Sequence, residues 1–202
     1  MTEYRFTEQN DNMLFRMIED VQKALDAQAY MAALALALVI PDVCGKAEYP
    51  NEKFSKARYT KWFDQEISYS EHPDYSNMDP LKGKDAKKLP HINGEAIYQL
   101  RCAVLHQGNP NIDSDKIQND ENKIGHFIIE YEKPKVISIY VDSSQYNHFT
   151  GQKSYRVNLN RLCLVICSVA KGYYEKNKEK FNFFEYELVD KDEQLSYFFG
   201  IQ

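Results

Sequence analysis

From Ala29 to Ile40 the chain runs through five alanines, three leucines, a methionine, a valine and an isoleucine, broken only by Tyr30. Alanine and leucine are strong helix formers, so a helix is expected from about Ala29 to Cys44. It has no polar face, and a helix apolar all round has to be buried all round. The run is about 12 residues, short of the ~20 that cross a bilayer. The polar segment before it, with Glu8, Asp11, Glu19 and Asp20, does not resemble a signal peptide. The expectation is therefore a rod at the centre of a helical bundle, partly covered by a second subunit, in a cytoplasmic protein with no membrane contact. Pro41 should kink the rod, because proline removes a backbone donor and crowds the preceding turn. Asp42, a carboxylate at the end of an apolar helix, needs a partner. Gly45 is expected to close the helix.

Other helices assemble around that rod. Met13, Leu14, Met17, Ile18, Val21 and Leu25 recur at helical spacing within about 10–27. A third helix is expected over about 52–70, with Lys53, Lys56, Arg58 and Lys61 as a solvated basic face. Residues 71–91 read as a loop, with Pro73, Pro80, Gly83 and Pro90. Its Lys82, Lys84, Lys87 and Lys88 are candidates for collecting phosphates. A fourth helix runs from about Gly94 to Gln107, stopped by Gly108-Asn109-Pro110. Segments 124–131 and 136–141 read as a hairpin around Lys133-Pro134, with a third strand at 155–159 and an edge strand at 183–189. A last helix is expected over about 159–178. The fold class is thus mainly α, a bundle of four to five helices in one domain over 1–202, with a small β insertion at about 120–159 before the last helix.

Charge and ligand types exclude some functions. A net charge of -5 leaves no wide basic face for duplex DNA. The four cysteines form no CxxC pair, and Cys163 and Cys167, four apart, read as packing residues of a reduced protein. The histidines at 72, 91, 106, 126 and 148 show no ligand spacing, and there is no HExxH. No metal and no cofactor is expected.

Chemistry concentrates on the fourth helix, which carries Arg101 and His106. At about 100° per residue the two stand roughly 140° apart. Arg101 falls among Ile97, Leu100, Val104 and Leu105, and His106 lies nearly opposite. Arg101 reads equally well as a core arginine paired with Asp42 or Asp64, and His106 as a cation at a helix C-terminus.

The segment Arg101-Cys102-Ala103-Val104-Leu105-His106 resembles the Arg-x4-6-His signature of HEPN domains. The Ala/Leu-rich helix ending in Asp42-Val43-Cys44-Gly45 is similar to an early helix of such proteins. The resemblance covers about 10–110 and the last helix, not the β insertion. It implies a helical-bundle homodimer and, in many members, a metal-independent ribonuclease. His106 would then accept the 2′-hydroxyl proton of RNA, and Arg101 would stabilise charge on the phosphate. A 2′,3′-cyclic phosphate or 3′-phosphate and a 5′-hydroxyl would result. Two subunits would form one cleft with two arginines and two histidines. Asp42, Cys102, Gln107 and Asn109 would be supporting residues. The position after the arginine, often polar in active members, is here Cys102, a weak hydrogen-bonding group. The resemblance also fits a toxin–antitoxin or phage-defence setting. The alternative is a non-catalytic dimer that binds RNA, a nucleotide or a partner protein as an antitoxin-like or accessory module.

Overall fold

The computed structural model describes residues 13–68, 93–107, 126–131, 142–147 and 152–184. Over these residues the chain is mainly helical, with one small sheet. Helix α1, Met13–Asp26, buries Met13, Leu14, Met17, Val21 and Leu25, the stripe its periodicity predicts. It ends with Gln28 in the left-handed region at φ 58°. Ala29 N–H reaches back to the Ala24 carbonyl and Gln28 N–H to that of Leu25, a Schellman closure that glycine usually provides.

The apolar rod is broken. Helix α2 spans Tyr30–Ala37 and α3 spans Ile40–Glu48. Pro41 falls in the first turn of α3, where its missing donor costs least. The break therefore comes before the proline, at Leu38 and Val39, rather than at it. There Val39 N–H bonds to the Leu36 carbonyl and Asp42 N–H to that of Val39. The buried Tyr59 hydroxyl donates to the Leu38 carbonyl at 3.2 Å. Together the two helices span 19 residues, long and apolar enough by composition to cross a membrane. Just over half of that stretch, 56%, is buried inside this fold. Burial is not all round, because Met31 and Ala32 are exposed and Ala35, Leu36 and Val39 only half-buried.

Gly45 does not end its helix. It sits buried in the middle of α3, where a Cβ would lie 2.8 Å from the Arg58 carbonyl oxygen. Its job is close approach to α4, Ser55–Phe63, which is shorter than expected and continues as a π-helical turn, Asp64–Ser68. From α4, Tyr59, Trp62 and Phe63 are fully buried, each contributing about 1.5–3 kcal/mol through removal from water. The basic face of α4 is balanced by acids, with Lys56 on Glu95 at 3.1 Å and Lys61 on Glu52 at 3.2 Å.

Helix α5, Gly94–Cys102, lies against α4 through a second glycine contact. A Cβ on Gly94 would stand 2.5 Å from the Thr60 carbonyl oxygen. The last helix, α6, covers Leu159–Lys176 and packs on α1, α2 and α3. Cys163 and Cys167 are buried in it, as packing residues. A 3-10 turn, Lys178–Phe181, follows.

The sheet precedes α6 as expected, but its pairing differs. Strands β1 (His126–Glu130), β2 (Asp142–Asn147) and β3 (Gln152–Asn158) lie in the order β1-β3-β2. The antiparallel pair is β2 with β3, whereas β1 runs parallel to β3, with Phe127 opposite Tyr155. The expected hairpin partner at 136–141 lies outside the described residues. A parallel partner needs no tight turn, so turn signals such as Lys133-Pro134 do not report it. Strand β3 runs straight into α6, where the Asn158 side chain caps the Arg161 N–H at 3.0 Å. Phe183 and Phe184 follow the 3-10 turn without forming a strand, and 185–189 lie outside the described residues.

Candidate functional site

Two glycines set the site's geometry. Gly45 seats α3 on α4, and Gly94 seats α5 on α4. Helix α4 thus fixes α3 and α5 relative to each other, and with them Asp42 and Arg101. The start of α5 is secured twice more. Asp64 accepts the Gly94 N–H at 2.6 Å, and the Asn93 side chain caps the Ala96 N–H at 2.9 Å. Asp64 therefore holds the backbone of α5, and the partner of Arg101 is Asp42.

That pair closes at 2.5 Å between Arg101 Nη2 and Asp42 Oδ2, with side chains 19% and 21% exposed. Burial pushes the Asp42 carboxyl above its usual range, and Arg101 and then Arg58 pull it back. The Arg101 guanidinium also lies over the Tyr98 ring, 5.6 Å from its centroid. Tyr98 meets the edge of buried Tyr59 at 5.3 Å. Two side chains thus hold Arg101 in place, while its Nε is buried with no hydrogen-bond partner.

After Cys102 the helix widens into a π-helical turn, Ala103–Gln107. A turn closed from i to i+5 takes in one more residue than an α-turn. The 140° offset of a regular helix therefore does not carry over unchanged from Arg101 to His106. His106 is exposed, beside Leu105 at 37% exposure. Cys102, next to Arg101 in the chain, is half-buried. Asn109, Lys82, Lys84, Lys87 and Lys88 lie outside the described residues, as does the side chain of Gln107.

Of the residues singled out by sequence, Asp42 and Arg101 are in contact, and Cys102 and His106 follow on the same helix. Sequence reasoning missed Tyr98, although an aromatic three residues before an arginine on a helix shares its face. It also missed the full π turn, which has no local residue signature. No family model, curated protein or solved structure matches the chain.

Proposed function

We propose that the chain is an HEPN-like helical-bundle protein that acts on RNA as a homodimer and cleaves it without a metal. The observation that supports this most is the layout of α5. Asp42 and Tyr98 hold Arg101 at a helix seam with a fifth of its side chain open to solvent, and the helix then widens to present His106. In a dimer with paired motif helices, one His106 takes the 2′-hydroxyl proton as the oxygen attacks phosphorus. The phosphorus–5′-oxygen bond breaks, and the leaving oxygen gains a proton from imidazolium or water. Arg101 bears on the charge that collects on the phosphate oxygens. The setting proposed is a cytoplasmic toxin–antitoxin or phage-defence system.

A second reading is favoured by a specific feature. Asp42 already neutralises Arg101 at 2.5 Å, and Cys102 offers the cleft little hydrogen bonding. A non-catalytic dimer that binds RNA, a nucleotide or a protein would tolerate both. RNA cleavage with and without EDTA, comparing wild type with His106→Ala, separates the readings. Cleavage that survives EDTA and is lost in His106→Ala supports the ribonuclease. No cleavage of any RNA by either protein supports the binding module. Equal cleavage by both proteins removes His106 from the chemistry.

A further inference from the structure

The contact between Arg101 and Asp42 is lopsided. It closes through Nη2 at 2.5 Å, while Nε of the same guanidinium is buried with no hydrogen-bond partner. The carboxylate therefore does not take the Nε and Nη2 edge of the fork, as a side-on bidentate pair would. About a fifth of each side chain is open to solvent, so the contact can be reached from outside.

The two partners are not held alike. Arg101 has a second support in the face of Tyr98, and Tyr98 is braced in turn by the fully buried Tyr59. Loss of Asp42 leaves that support in place. Asp42 is held by a side chain, whereas the Asp64 carboxylate is tied to the backbone N–H of Gly94. Burial also works against the charge of Asp42. Its place in the first turn of α3, after Val39, which gives no side-chain cap, favours a carboxylate through the helix dipole whether or not it touches Arg101. Arg101 can thus stay where it is while Asp42 leaves.

We propose that Asp42 is an internal stand-in for a phosphate group: it occupies Arg101 until a phosphate displaces it, so the site is self-inhibited without its ligand. The inference rests on the reading that Arg101 meets the RNA phosphate. Carboxylate and phosphate both present paired anionic oxygens that match the guanidinium fork, and both compete for Nη2. The displaced carboxylate also repels the arriving anion. Removing the charge of Asp42 therefore strengthens phosphate binding. A carboxylate that only positioned Arg101 for its ligand would have the opposite effect.

The test is amide NMR of the full chain titrated with inorganic phosphate at constant pH and ionic strength, for wild type, Asp42→Asn and Arg101→Gln. Asp42→Asn keeps the shape and drops the charge. It should bind phosphate at least about tenfold more tightly than wild type, with saturable shifts at Tyr98 and Cys102. Arg101→Gln should show none there. Thermal melts provide a second readout: phosphate should raise the Tm of Asp42→Asn more than that of wild type, and a variant too unstable to fold alone should fold in phosphate. Binding by Asp42→Asn no tighter than by wild type, saturable shifts at Tyr98 and Cys102 in Arg101→Gln, or no stabilisation of Asp42→Asn by phosphate would each overturn the proposal. Tighter binding by Asp42→Asn with no RNA cleavage by any of the proteins would keep the stand-in and remove the ribonuclease. Cleavage that depends on His106, without tighter binding by Asp42→Asn, would do the reverse.

Discussion

The same substitution should have opposite effects at two glycines of this chain. At Gly94 an added Cβ would lie 2.5 Å from the Thr60 oxygen and 2.6 Å from its Cα, about 0.9 Å short of ordinary contact. These are backbone atoms, so no rotamer change relieves the clash, and α4 and α5 must separate. Overpacking of this kind costs about 1–3 kcal/mol. The movement also stretches the Gly94 N–H bond to Asp64, and hydrogen bonds to charged groups are worth about 1.5–3 kcal/mol. Against this, alanine restricts the unfolded chain and returns roughly 0.4–1 kcal/mol. Gly94→Ala should therefore lose about 1–3 kcal/mol, or roughly 3–10 °C in Tm for a chain of this size. Gly172→Ala meets nothing within 4 Å and should gain about 0.5–1 kcal/mol from helix propensity. Thermal and urea melts followed by circular dichroism give both numbers. If Gly94→Ala is as stable as wild type, α5 is not seated on α4 by that glycine, and the placement of Arg101 loses its basis.

Further outcomes test other parts of the structure. A double-mutant cycle of Asp42→Asn and Arg101→Gln should give a coupling of about 1–2 kcal/mol in urea melts, above that of exposed pairs because both side chains are four-fifths buried; a coupling near zero would mean the pair is not formed in solution. Glu48 has a folded pKa below its usual 4.5, owing to hydrogen bonds from Lys180 and Tyr173. Its stabilising share is thus present above pH 4.5 and fades as the pH falls through the lowered value. In acid melts the wild type should lose more stability over that range than Glu48→Gln, and parallel pH profiles would contradict this. Gln28 holds a left-handed φ of 58°, so Gln28→Gly should raise stability by about 0.5–1 kcal/mol in thermal melts, and a drop would argue against the Schellman closure.

Local patterns carried much of the fold. The stripe of α1 and the apolar side of α6 follow from spacing alone, since each needs only one buried face. The need of Asp42 for a partner was also legible, because a carboxylate entering an apolar helix has to be neutralised or solvated. Choosing between Arg101 with Asp42 and Arg101 with Asp64 was not, because that depends on which helix crosses α4. Gly45 shows the same limit. A glycine near the end of an apolar run reads as a stop, yet here it is an interior contact whose partner, the Arg58 carbonyl, stands 13 residues later. The parallel pairing of β1 with β3 has no signature in either strand.

The π turn after Cys102 bears most directly on the proposed function. On a regular helix Arg101 and His106 point about 140° apart, and any joint chemistry within one chain would need a long detour. Helical periodicity is a global average, and a single widened turn changes the register of everything after it without any change in composition. In this chain the widening begins at Ala103, after the arginine and before the histidine. It therefore alters their relative direction while leaving Arg101 anchored by Asp42 and Tyr98 upstream. A π turn placed anywhere before Arg101 would have rotated both residues together and left the angle between them unchanged. A π turn between the two residues changes the angle between them while Arg101 stays bound to the bundle.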